Sequence, residues 1–221
     1  MTHQEPSTAA IGGTDVRRNG RRSWRLTIIV ALSTLCVIWL SSLECNPTTG
    51  SRSSDESIIA VAIDAVVDRI IGVESNGDPN AKSKRSSATG LAQFLDETWL
   101  DMIRVNRPDL TKGRTRAEIL ELRRDPKIAR EITARFTEHN AGILRKRRLP
   151  VTPGTLYLAH FAGGAGAVAI LSAAEDADAA LIMANADASG RSGREKIVKA
   201  NPFLERFTVA DLRNWADRKM R

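Results

Sequence analysis

One carboxylate stands where this sequence could do acid–base chemistry. The apolar run Ile70-Ile71-Gly72-Val73 leads into Glu74 and Ser75. A polar loop carrying Gly77, Asp78, Pro79 and Asn80 follows, and at Gly90 the chain turns apolar again through Leu91-Ala92-Gln93-Phe94. Apolar neighbours and the negative pole of a helix C-terminus both disfavour a charged carboxyl. A carboxyl so held can give its proton to a leaving oxygen, a step that contributes about 10² to 10⁴ in rate. A Glu at a helix end is, taken alone, more often a solvated surface residue, so the surrounding pattern has to carry the argument.

The elements that would position Glu74 read as helices. Ile58, Ile59, Ala62, Ile63, Val66, Val67, Ile70 and Ile71 recur at helical spacing, which predicts a buried central helix ending near Gly72 and Gly77, with Ser53 and Glu56 as a capping box at its start. A second helix is expected from about Gly90 to Val105, a short one over Arg116 to Arg123, and a long one from Pro126 to about Arg148. Thr152-Pro153 caps the next, in which Gly163, Gly164 and Gly166 either break the helix or admit another backbone. Ala167 to Ala188 is helical in bias, Gly190 to Pro202 reads as a connection, and Thr208 with Asp211 caps a final helix to about Lys219. The fold class is mainly all-α, with room for a short β-hairpin inside 76–90.

The N-terminal quarter reads differently. Residues 1–25 form a polar, basic arm ending in Arg17, Arg18, Arg21, Arg22 and Arg25. Residues 26–43 carry no charge and are just long enough to cross a bilayer core, with Trp24 and Trp39 near the ends. The arginines before this segment place the N-terminus in the cytoplasm and everything after Glu44 outside. A cleaved secretory signal shares this plan, but no small-x-small site is evident near Ser41-Ser42-Leu43, which favours an uncleaved anchor. Residues 44–55 form a linker and 56–221 the folded domain.

Composition narrows the partners. The 221 residues carry a net charge of +7, which suits an anionic partner such as nucleic acid, lipid headgroups or cell wall, and equally suits a solvated basic surface. Cys36 and Cys45, one inside the apolar run and one just beyond it, do not suggest a disulfide, and the scattered His3, His139 and His160 offer no metal spacing. No cofactor or metal is expected.

The segment E-S-x-G-x-x-N at Glu74, Ser75, Gly77 and Asn80, followed by G-L-A-Q at Gly90 to Gln93, resembles the lytic transglycosylases of the soluble-lytic-transglycosylase type. These are lysozyme-like helical enzymes that cut bacterial peptidoglycan. Their third motif, A-Y-N-A-G, corresponds to Ala159-His160-Phe161-Ala162-Gly163 here, and Ala92 stands where Met is usual. The resemblance covers about residues 58 to 170. It implies a lysozyme-like domain behind one transmembrane helix, with Glu74 as the single acid and base. Ser75 would orient Glu74 or touch substrate, and Gln93 would hydrogen-bond sugar or acetamido groups. Either His160 or Tyr157, one turn earlier, would fill the family's tyrosine position, with Phe161 beside it.

The implied reaction protonates the oxygen between N-acetylmuramic acid and N-acetylglucosamine and closes a 1,6-anhydro ring without water. The partners would be glycan strands and, through residues 26–43, the inner membrane, with the catalytic domain in the periplasm. Secretion, flagellar or wall-turnover machinery would be the setting, and nucleic acid would not be a partner. Three rivals stand beside this reading: a hydrolytic muramidase with a second carboxylate, a non-catalytic wall-binding protein, and a membrane-tethered DNA-binding protein that draws on the basic charge.

Overall fold

Eight α-helices carry the chain in the computed structural model, which describes residues 49–187, 190 and 193–221, with side chains from residue 62 onward. The arm 1–25, the apolar segment 26–43 and the first residues of the expected linker lie outside the described residues. They are α1 (Thr49–Ser75), α2 (Asp96–Asn106), α3 (Arg116–Glu121), α4 (Pro126–Lys146), α5 (Pro153–Ser172), α6 (Ala179–Ala186), α7 (Arg194–Ala200) and α8 (Val209–Lys219). Short 3-10 turns at Pro108–Thr111, Leu122–Arg124 and Pro202–Arg206 complete the set. Among the described residues there is no strand. The hairpin expected in 76–90 is a loop closed by single bridges, Lys82 to Thr89 and Thr89 to Phe94.

Several boundaries differ from the expectation, each for a local reason. α1 begins at Thr49, inside the stretch read as linker, so Ser53 and Glu56 are not at its start. α2 begins at Asp96 rather than near Gly90, because Gly90 and Gln93 take left-handed backbone angles (φ 82 and 49) that no α-helix accommodates. Residues 194–200, read as a connection, form α7. The alanine-rich run divides into the end of α5 and a separate α6, whose N-cap Asp178 accepts a hydrogen bond from the Leu181 amide at 2.8 Å. The caps read at Thr152 and Thr208 are formed, accepting from Thr155 and Asp211, and Asp125 caps α4 ahead of Pro126 by accepting from Lys127 and Ile128.

The centre of the core is α5, not α1. α5 packs against α1, α4, α6 and α8. Its mean hydropathy would also let it cross a membrane by length and composition alone; here it buries Leu156, Tyr157, Leu158, Ala159, Ala167 and Ile170 inside the protein. α1 buries a narrower stripe, Ile63, Val66, Val67 and Ile70, while Ala62 and Ala65 face outward. Gly163 does break α5 (φ 73, ψ 162), and Gly164 just beyond it admits α4: a β-carbon there would fall 2.5 Å from Ile143 Cδ1. The helix break expected of these glycines is realised at Gly163; at Gly164 it is α4 side chains, Ile143 and Asn140, rather than another backbone that approach.

Candidate functional site

Glu74 sits on the last turn of α1, partly buried, between the loop that ends that helix and the first half of α5. The helix stops because Asn76 and Gly77 turn left-handed (φ 53 and 79), while the Asn76 amide still reaches Gly72 O at 3.0 Å. Asp78 then accepts from the Asn80 amide at 2.8 Å, closing a tight turn. The E-S-x-G-x-x-N pattern is thus a helix end followed by a fixed turn, and it delivers one carboxylate to one place.

Tyr157, buried on α5, lies near enough to that carboxylate to feel its charge. Burial pushes the tyrosine's pKa well above its ordinary value near 10, and the charge of Glu74 and hydrogen bonding with it push in the same direction. Tyr157 therefore keeps its proton across the ordinary pH range. Both residues weighed for this place feel the charge of Glu74, Tyr157 and His160 alike.

His160 stands behind, one turn along α5, its ring stacked on Tyr157 at 6.4 Å. Its Nε2 lies 2.9 Å from the Ala92 carbonyl, which can only accept, so Nε2 carries the proton. Burial lowers the His160 pKa, partly opposed by the charge of Glu74 and the bond to Ala92. The neutral ring is therefore a strut tying α5 to the Gly90–Phe94 segment. Nδ1 is shut away without a partner among the described residues.

That segment is held on every side. The Gly90 amide donates to Ala81 O at 2.8 Å, and a β-carbon on Gly90 would fall 2.1 Å from Arg123 O, so only glycine fits there. Arg123, itself buried, donates to Ser87 O and Phe94 O at 3.0 Å, to Leu120 O at 2.9 Å and to Asp96 at 2.7 Å. Phe94 is the apolar anchor, 5.5 Å by ring centroids from each of Trp99, Phe136 and His160. Ala92 is buried, so its methyl group packs inward rather than toward a ligand.

The remaining expected site residues divide. Gln93 is partly exposed beside this segment, and its Nε2 bonds Ala81 O at 3.1 Å and Gly90 O at 2.9 Å. Two carbonyl partners fix the nitrogen inward and leave Oε1 as the end free for a ligand. Ser75 does not orient Glu74: its hydroxyl donates back to Ile71 O at 3.3 Å. Phe161 packs its ring against Trp215 and Phe203, at 5.0 and 6.0 Å.

Asp78, four residues beyond Glu74, is exposed and accepts from the Asn80 amide, while the three acids of α2 are ion-paired. Asp96 pairs with Arg123, Glu97 with Arg116 and Asp101 with Arg104, all within 2.7 Å. Two surface concavities, about 100 and 340 Å³, are lined by α4, α5, α6 and α8 residues and by none of the candidates. No group of histidine, cysteine, aspartate and glutamate among the described residues could hold a metal ion.

Sequence reasoning did not single out Arg123 or Trp215. Arg123 sits among Arg116, Arg124 and Glu121 and looks like one more surface charge. Trp215, counted only as an apolar position of α8, touches Tyr157 at 5.3 Å. What the fold assembles is a half-buried carboxylate at a helix end, near the buried Tyr157. Compared against models of known protein families, the chain matches none.

Proposed function

We propose that this chain is a membrane-anchored peptidoglycan lytic transglycosylase with a lysozyme-like catalytic domain, acting in the periplasm through Glu74. The observation that carries the reading is the nearness of Glu74 to Tyr157 beside the Gly90–Phe94 segment. It gives the catalytic motifs of the resemblance one common location. The helical architecture and the basic net charge are compatible with an anionic wall polymer as substrate. The anchor in this proposal is the apolar segment 26–43.

The chemistry follows from one carboxyl. Glu74 protonates the glycosidic oxygen between N-acetylmuramic acid and N-acetylglucosamine, and the bond to C1 breaks. The substrate's own acetamido oxygen shields the positive carbon. Glu74, now a carboxylate, takes the proton of the C6 hydroxyl, whose oxygen closes on C1 as the 1,6-anhydro ring. Tyr157 donates to Glu74 throughout and is worth most when Glu74 is charged, between the two proton transfers. A muramidase would need a second acid across the bond; Asp96 is held by the buried Arg123, and Asp78 is taken up in the turn after α1. The test is a zymogram of the full-length chain in detergent on purified sacculi, with Glu74→Gln alongside. Clearing by the wild type alone supports the proposal; equal clearing or none by either protein refutes it.

A further inference from the structure

The loop between Glu74 and Gln93 carries Lys82, Lys84 and Arg85, all exposed, and among the described residues none of the three makes an ion pair. Arginines on the elements around them are paired: Arg107 with Asp109 and Glu131, Arg116 with Glu97, Arg123 with Asp96, and Arg124 with Glu121. The loop itself is pinned. The Ser83 amide donates to Ala88 O at 2.9 Å, the Arg85 amide to the Ser83 hydroxyl at 3.1 Å, and the Ala88 amide to the Ser86 hydroxyl at 3.3 Å. Its base is part of the candidate site. The carbonyl of Ala81, next to Lys82, accepts from the Gly90 amide at 2.8 Å and from Gln93 Nε2 at 3.1 Å. On the other side Arg124 Nη1 donates to Asn80 O at 3.1 Å.

Like charges held this close in a fixed turn repel one another, and an anionic ligand relieves that repulsion when it binds. A lysine-rich tail in solution spreads its charges apart; a loop closed by its own backbone and serine hydrogen bonds keeps them together. With no carboxylate of their own, the two ammonium groups and the guanidinium fork keep their donors for a ligand, and the fork matches a carboxylate in two-point geometry.

We propose that Lys82, Lys84 and Arg85 form a carboxylate-reading edge that holds the peptide stems of the wall strand cut at Glu74. The inference rests on the reading of Glu74 as the cleaving acid. The occupant is argued from charge and from the continuity of one loop, which begins where α1 ends at Ser75 and closes on Gln93 through Ala81. A strand bound at Gln93 Oε1, with its cleaved bond at Glu74, runs along the base of this loop. The muramic acid at that bond bears the peptide stem, so the free carboxylates of the stem leave the strand within a sugar of Glu74. The loop cations supply their countercharge at an exposed edge, where such contacts select the partner and speed its capture more than they tighten it.

The experiment uses the full-length chain in detergent carrying Glu74→Gln, so that strands are bound and not consumed. Three ligands are compared: glycan strands with intact stems, the same strands with every carboxyl group converted to a neutral amide, and strands freed of their stems, which keep only the lactyl carboxylate. Lys84→Gln together with Arg85→Gln should weaken binding to intact strands by about three- to tenfold at low ionic strength, a loss that added salt abolishes. On the other two ligands the loop variant should bind as its parent does. Lys146→Gln together with Arg148→Gln removes the same charge from the far end of α4, a helix of 21 residues and about 30 Å that starts just after Arg124, and should change nothing. No loss in the loop variant overturns the proposal, as does an equal loss on stem-free strands, on a DNA duplex or in the α4 control. If the wild-type chain cleaves no strand while the Glu74→Gln protein shows this stem-dependent loss, the loop site stands and the catalytic reading fails.

Discussion

Tyr157, buried on the central helix, has its pKa raised by burial and by the charge of Glu74 at the end of α1. A hydrogen bond to a charged group contributes about 1.5–3 kcal/mol, which corresponds to roughly ten- to a hundredfold in rate where the charge develops during reaction. Tyr157→Phe keeps the ring contacts with Trp215 and His160. It should lower kcat by about that factor, with KM and melting temperature nearly unchanged. Steady-state kinetics on soluble glycan strands check this; an unaltered kcat would remove Tyr157 from the mechanism.

The same burial sets the pH limits of stability. Tyr157 has a folded pKa raised above the unfolded value near 10, so both states hold the proton below that pH and only the unfolded state loses it just above. Stability should therefore fall as pH rises past about 10, by at most roughly 1.4 kcal/mol per unit from this group. It is the only tyrosine of the chain, so tyrosinate absorbance should be missing from the folded protein at a pH where the denatured protein shows it. His160 acts at the other end. Its folded pKa is lowered by burial, so the unfolded state binds the proton first and stability should fall as pH drops below about 6.5. Urea titrations at pH 7.5 and 5.5 read the slope, and His160→Gln should flatten it.

Arg123 should matter far more to the fold than its surface-like sequence context suggests. Replacing it with Met removes the guanidinium donor to the carbonyls of Ser87, Phe94 and Leu120, which keep only their weaker second donors, and leaves Asp96 without its ion-pair partner. The expected loss is roughly 2–4 kcal/mol. Arg116→Met, which breaks an exposed pair with Glu97, should cost less than about 1 kcal/mol. Denaturant midpoints for the two variants compare them directly.

How much of this was written locally in the chain is clear from particular residues. The end of α1 at Glu74, the caps at Thr152 and Thr208 and the start of α4 at Pro126 depend on neighbours a few positions away, and each was legible. The wider layout was not. α1 looked central because its apolar positions are many, but centrality belongs to α5, whose glycines let α4 approach closely. Gln93 and Glu74 were legible as motif positions. That Tyr157 and His160 both feel the charge of Glu74 depends on which way α5 is turned, and that is set by His160 bonding Ala92, far away in sequence. Ser75 and Phe161 matched a pattern, but helix geometry turns one hydroxyl back to Ile71 and aims the other side chain at Trp215.

The measurement closest to the centre of this account is the mass of the muropeptides released from purified sacculi by the full-length chain and by Glu74→Gln. The wild type should release anhydro-terminated products, lighter by one water than the products of hydrolysis, and the folded Glu74→Gln protein should release none. Products carrying that water, or a Glu74→Gln protein as active as the wild type, would contradict it.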